Sequence, residues 1–411
     1  MAGRIYAFAG DVERDLLRLR GRLGKRGRTA LQRDLDHDLG LLAGLLGDHD
    51  DVVLCEAPAE EGAALRAHVD ALRRRGLRCA EPLARPEGEA LAVDDLPSAA
   101  RAPAPSDLDA GLRPWGWSPR LVERLRPVLQ ARDLDPTGRL QTALAAADKA
   151  HTAALRQALA PLGVRDDGAL FGQSGALFDC WAQAEAAGEA LVVKARFGGS
   201  GRDAIRLLPG RGEPTAAQRG WIERTLREQG SVRVERWWPR RGDLGLLLVP
   251  LPRTATAPRF GLLPAHRSHC DERGQFRGVA LHGWDANHRR PPASDARAAL
   301  DRVGHAAATL LQVLGYVGAA GVDLIEREGE AVPLPVELNA RHTMGHVGHA
   351  LGRAMPPGAQ GWLWIAPRGE QAELRALAGP EGTIVALTPP ELARRVVAWQ
   401  VIRCVHDRDF D

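Results

Sequence analysis

Leu191–Arg202 reads LVVKARFGGSGR: an apolar run, one lysine, then a glycine-rich loop centred on Ser200. A lysine leaving a strand just before Gly-Gly-Ser-Gly is suited to holding a polyphosphate. The glycines let backbone N–H groups approach oxygen atoms closely, and the lysine supplies a compact positive charge. The chain carries 55 Lys plus Arg, yet its lysines are confined to Lys25, Lys149 and Lys194. The loop is not a Walker A motif, since no GxxxxGK[ST] occurs.

Two downstream segments belong with this loop. In Gly321-Val322-Asp323-Leu324 an acid interrupts an apolar strand; in PVELNAR, Glu337 and Asn339 lie two apart and so share one strand face. A carboxylate from each of two neighbouring strands, plus an amide oxygen, makes an all-oxygen set for Mg²⁺. On nucleotide phosphates that ion keeps its other positions for phosphate and water. Glu337 stands in the apolar stretch PLPVELNA, where an unpaired charge is costly, and this favours ligation over a surface pair. Arg341, just beyond, is placed to reach a substrate carboxylate or a transferring phosphoryl group.

The rest of the chain frames this constellation. A length of 411 residues exceeds one ordinary core and points to two or three domains. With 45% hydrophobic and 26% charged residues the composition is that of a globular protein. The longest apolar stretches, such as Leu244–Leu251, are too short for a bilayer, and MAGRIYAFAGDVERD lacks a signal-peptide h-region, so a cytoplasmic protein without membrane partners is expected. Cys55, Cys79, Cys180, Cys270 and Cys404 form neither a CxxC pair nor a zinc spacing and read as reduced, buried thiols. A net charge of +3, with arginine runs scattered among acids, argues against nucleic acid.

Residues 1–105 read as a small α/β unit, with strands at Arg4–Ala9, Val52–Cys55 and Leu77–Cys79 and helices over Leu16–Leu46 and Glu60–Arg75. Residues 97–120, rich in Pro, Ala and Gly, read as a linker or excursion. Helices are predicted over Arg139–Leu159, Ala176–Ala187, Ala216–Gln229 and Ser294–Leu314. Strands are predicted at Leu191, Ala204–Leu208, Ser231–Trp238, Leu244–Leu251, Arg259–Pro264, Phe276–Leu281, Ala320–Ile325, Pro333–Leu338 and Thr383–Leu387, with a Pro-started segment over Pro389–Cys404. His342, His346 and His349 fall at helical spacings, but Gly345 and Gly348 weaken such a helix. Substrate contact or packing is therefore preferred over zinc, and His266, His269 and Cys270 fit no common ligand spacing. The pairs Trp115/Trp117, Trp237/Trp238 and Trp362/Trp364 read as core or lid packing.

Five pieces taken in order resemble the ATP-grasp superfamily, its carboxylate–amine ligases in particular. They are Asp148-Lys149, Lys194–Arg202, VRVERWW ending at Trp238, Val322-Asp323 and Glu337–Arg341, within residues 145–355. The resemblance implies an α/β (α+β) ATP-grasp fold with an N-terminal Rossmann-like pre-ATP-grasp domain at residues 1–105. It places a linker or helical segment at 106–147, a central lobe at 148–238, a C-terminal lobe at 239–375 and an extension at 376–411. It implies that Lys149 and Lys194 contact ATP phosphates from opposite lobes, under a loop of Gly198, Gly199, Ser200 and Gly201. Glu235, with the backbone through Trp237, would stand at the adenine hinge and Asp243 at the ribose. Asp323, Glu337 and Asn339 would bind one or two Mg²⁺, or Mn²⁺ in their place, and Arg267 and Arg341 would stabilise an acyl-phosphate. The implied activity joins a small-molecule or peptide carboxylate to an amine, with a homodimer left open. Alternatives are an ATP-grasp phosphotransferase, a ligase using a non-amine nucleophile, or a non-catalytic nucleotide- or peptide-binding module. An intact metal set argues against the last.

Overall fold

The computed structural model describes residues 3–20, 29–101, 111–199, 203–251, 260–271, 274–282, 294–356, 359–370 and 372–403. Its first sheet contains β1 (Ile5–Ala7), β2 (Val52–Glu56), β3 (Glu81–Arg85) and β4 (Leu112–Pro114), ordered β3-β2-β1-β4 and parallel throughout. β1 and β2 are buried along their whole length, as expected of parallel strands covered on both faces. β3 starts beyond the predicted Leu77–Cys79. β4 arises inside the expected linker, where Arg113 hides any apolar alternation and pairing with β1 makes the strand. The long helix predicted over Leu16–Leu46 is divided: one helix spans Val12–Leu16, and a second starts anew at Ala30 behind a Thr29/Gln32 capping box and runs to Leu39.

The second sheet contains β5 (Ala169–Phe171), β6 (Leu191–Ala195), β7 (Ala204–Leu207) and β8 (Val232–Arg236), ordered β5-β8-β6-β7 and antiparallel. Helices Ser174–Ala186 and Ala216–Gln229 bury Leu177, Trp181 and Ile222 with Val193, Val232 and Val234 in a separate apolar cluster. The third sheet contains β9 (Gly242–Pro250), β10 (Phe260–Cys270), β11 (Phe276–His282), β12 (Ala320–Glu326), β13 (Leu334–Asn339), β14 (Gln360–Pro367), β15 (Thr383–Ala386) and β16 (Val396–Arg403). Its order is β13-β12-β9-β10-β11-β14-β16-β15, and every pairing is antiparallel. The Pro-started segment thus ends in strand β16.

Helix Met344–Ala354 forms despite its glycines because they permit close packing. A side chain at Gly345 would collide with the His266 ring, and one at Gly348 with Val279. A single apolar cluster joins the first and third sheets, including Tyr6, Val53, Trp115, Val322 and Leu338. Among the described residues no helix is long and apolar enough to cross a membrane. Cys55, Cys79, Cys180 and Cys270 are free thiols, and Cys404 lies outside the described residues.

Candidate active site

Asp323 on β12 stands directly opposite Glu337 on β13, so the two carboxylates emerge on one face of the third sheet. Asn339, two residues on, donates through Nδ2 to Asp323 Oδ2 at 3.0 Å, and its Oδ1 accepts from Arg341 Nη2 at 3.0 Å. Asp323 keeps surface open to solvent, yet the protein crowded around it, and then the facing Glu337, raise its carboxyl above the usual range. Two facing carboxylates disfavour each other's ionisation and offer oxygen donors to a hard cation. Asp323, Glu337 and the second lone pair of the Asn339 amide oxygen fit Mg²⁺ in ligand type. Among the described residues no three His, Cys, Asp or Glu side chains form a metal cluster.

Lys149 reaches this face because the helix predicted over Arg139–Leu159 is broken. Helices Thr137–Ala146 and His151–Ala158 flank a turn in which Asp148 accepts from Ala150 N at 3.0 Å and from Arg196 Nε at 3.0 Å. Lys149 N donates to Arg196 O, and Lys149 Nζ lies 3.3 Å from Glu337 Oε1 in a buried ion pair. The turn therefore carries one lysine from the start of the glycine loop to the metal-type carboxylates.

Lys194, near the end of β6, donates from Nζ to Glu235 Oε2 and to Val336 O, both at 3.0 Å, which leaves one ammonium hydrogen for a ligand. The loop after it is pinned at its base. Phe197 and Gln229 exchange two hydrogen bonds of 2.9 Å each, and Gly199 N donates to Asp203 Oδ2 at 3.1 Å. Gly198 has no room for a side chain against Asp203. Ser200 and Gly201 lie outside the described residues.

Glu235, expected beside adenine, points its carboxylate inward. Burial alone would push its pKa up, but Lys194, Arg156 and Arg233 hold it down at about 2. The Trp237 N–H is already given to Ala190 O at 2.7 Å, and the Trp237 indole is flanked by Arg206 and Arg240 at 5.1 and 5.3 Å. Asp243 pairs with Arg240 at 3.0 Å, and burial holds its carboxyl above the usual range although Arg240 pulls it down. It lies two residues from Gly245, the partner of Asp323 across β9 and β12, and so on the same face.

Arg267, expected beside Arg341, does not join the group. It stands in register with Leu244, which pairs with Leu324, one step out of phase with Asp323, so it emerges on the opposite face. There it is exposed and pairs with Glu326 at 2.7 Å. Arg341 is buried and ion-pairs with Glu13, at the start of helix Val12–Leu16 in the N-terminal unit. A side chain at Gly199 would lie 3.6 Å from Glu13 Oε2, so the glycine loop, the N-terminal unit and Arg341 meet at one place. His342 N donates to Trp115 O at 2.6 Å beside this junction.

The histidines expected to contact substrate or pack are packing groups in part. His346 lies 3.3 Å from Leu248 O, and burial, then neighbouring histidines, takes the His266 pKa down to about 3. Sequence reasoning missed Glu13, Arg156 and Arg233. No local pattern marks them: Glu13 pairs with Arg341 328 residues away, and Arg156 reaches Pro335 and Glu235 across 179 and 79 residues, while Arg233 reads as an ordinary strand residue beside Glu235.

No protein-family model matches the chain, and no curated protein matches it in sequence. Solved structures do. The N5-carboxyaminoimidazole ribonucleotide synthetase of Thermus thermophilus superposes at TM-score 0.51 and 15% identity, covering 97% of this chain and 93% of that one. An ADP complex of an N5-carboxyaminoimidazole ribonucleotide synthetase superposes at 0.52 and 12% identity, covering 98% and 93%. The N5-carboxyaminoimidazole synthetase of Staphylococcus aureus superposes at 0.50 and 12% identity, covering 97% and 93%. At this identity the likeness concerns architecture, and it extends over nearly the whole chain: the protein has the ATP-grasp fold.

Proposed function

We propose that the protein is an ATP-dependent carboxylate–amine ligase acting through an acyl-phosphate. The observation that carries this reading is the Asp323/Glu337 pair, with Lys149 on Glu337 and Arg341 on Asn339, inside an ATP-grasp fold. In this reading residues 148–238 and 239–375 form the two lobes of the ATP clamp, with residues 1–105 closing the acceptor side and the 376–411 extension adding β15 and β16 to the third sheet.

The chemistry suits these residues. Expelling oxide from a carboxylate is prohibitive, so the substrate carboxylate oxygen first attacks the γ-phosphorus of ATP and ADP leaves. The acceptor nitrogen then attacks the acyl carbon, the C–O bond to phosphate breaks with its electron pair, and the amine proton passes to solvent. Such a transfer needs positioning and charge neutralisation rather than a protein nucleophile. Lys149 and Lys194 hold phosphate oxygens, the backbone of Gly198 and Gly199 approaches them, and Arg341 orients the substrate carboxylate. Mg²⁺ bound by Asp323, Glu337 and Asn339 would supply neutralisation of the phosphate charge. Amino acids, small peptides and natural-product precursors are the substrate classes in view.

The test is hydroxamate formation from a panel of carboxylates with ATP, Mg²⁺ and hydroxylamine, alongside ADP release. Hydroxamate that disappears in Lys194→Ala and Glu337→Ala supports the reading, and hydroxamate that survives either change overturns the site. A stable phosphorylated product without hydroxamate marks a phosphotransferase.

A further inference from the structure

The second sheet has its own apolar cluster, so near the site it is polar contacts that fasten it to β13. Arg156 is the centre of these contacts. It lies on helix His151–Ala158, is 1% exposed, and serves four acceptors on three segments. Nε donates to Pro335 O at 2.8 Å, Nη1 to Asp166 at 3.1 Å and Asp167 at 2.9 Å, and Nη2 to Glu235 Oε2 at 2.9 Å. That same Glu235 oxygen accepts Lys194 Nζ, while Arg233 Nε takes the other at 2.6 Å. Lys194 is thereby tied to Glu235 on one side and to Val336 O on β13 on the other.

We propose that Arg156 is a positioning residue for nucleotide phosphates: it fixes Glu235, and through Glu235 the Lys194 ammonium, against the strand that carries Glu337. The inference rests on the nucleotide-binding reading above and adds to it a residue that touches no ligand. The charges of the cluster balance, with Arg156, Arg233 and Lys194 set against Glu235, Asp166 and Asp167. Without Arg156 one negative charge is in excess, and Glu235 draws the lysine in rather than presenting it to a phosphate. A lysine at 156 supplies charge but not the fork that meets four acceptors at once.

The experiment is displacement calorimetry of wild type, Arg156→Gln and Arg156→Lys with Mg·ADP and with adenosine, each variant first confirmed folded by its melting curve. The expected result is a loss of about tenfold in ADP affinity for both variants, with adenosine affinity within about twofold of wild type. Unchanged ADP affinity overturns the proposal. So does an equal loss for ADP and adenosine, which marks a deformed hinge rather than a displaced lysine. If Arg156→Gln does not fold, Arg156→Lys carries the same comparison. Wild type that binds neither compound overturns the nucleotide reading itself, an outcome separate from any difference between variants.

Discussion

Replacing Glu235 by Gln removes a carboxylate shared by the buried Arg156 and Arg233 and the half-buried Lys194. Glu235 is 3% exposed and lies 2.6 Å from Arg233, 2.9 Å from Arg156 and 3.0 Å from Lys194. Its folded pKa of about 2 against an ordinary 4.5 corresponds to about 3 kcal/mol, at roughly 1.4 kcal/mol for each pH unit. Breaking a buried pair from one side costs about 3–5 kcal/mol on general grounds, so the two routes agree. The pKa is depressed on folding, so the stabilisation is fully present above about 4.5 and fades as pH falls toward 2. Urea denaturation followed by tryptophan fluorescence reads the unfolding, with Trp181, Trp221, Trp237 and Trp238 among the chain's ten tryptophans reporting from this lobe. At pH 7 the variant should be less stable by about 3 kcal/mol, and the gap should narrow below pH 4.5 for as long as both proteins stay folded. A gap under about 1 kcal/mol at pH 7, or one that does not change with pH, refutes the reasoning.

Three further outcomes follow from the same geometry. If Lys149 holds phosphate as proposed, Lys149→Met should weaken ATP binding by about tenfold or more and leave adenosine binding intact, as read by calorimetry. Glu13→Ala strands the Arg341 guanidinium in a buried junction and should cost about 3–5 kcal/mol in denaturation, with Glu13→Gln costing less. His266 is half-buried and neutral, with a folded pKa of about 3 against 6.5, so the unfolded chain takes up the proton first as pH falls. Stability should therefore decline from pH 6.5 toward 3, and His266→Gln should make that slope shallower by about one proton, measured as denaturation free energy against pH.

Much of the site was legible because it is written in short-range patterns. Glu337 and Asn339 share a face by strand alternation, and the apolar run before Lys194 forms a strand that leads into glycines. The turn at Asp148-Lys149 was not legible. The surrounding sequence RLQTALAAADKAHTAALRQAL favours helix throughout, and the break is enforced by Arg196, 48 residues away, holding the Asp148 carboxylate. Arg267 illustrates the opposite failure. It lies on β10, paired with β9 that carries Asp243, yet strand phase turns it to the other face, and no spacing rule reads phase across β9. Arg156 and Glu13 are invisible for a third reason: the partners that tie them to the site, Glu235 and Arg341, lie 79 and 328 residues away. In an arginine-rich chain only the fold distinguishes a buried arginine from a solvated one.

The two lysines that resemble a symmetric pair are held in different ways, and the difference bears on how a nucleotide would bind. Lys194 sits on a carboxylate shared with two arginines and on a backbone carbonyl, so an arriving phosphate adds to its bonds without breaking the arrangement. Lys149 sits instead on Glu337, whose other role in this reading is to bind metal. A cation between Asp323 and Glu337 weakens the hold of Glu337 on Lys149, because the carboxylate charge is then answered by the metal. The ammonium released in this way is free for phosphate oxygens. Metal and nucleotide then favour each other at equilibrium, since each removes a competitor of the other.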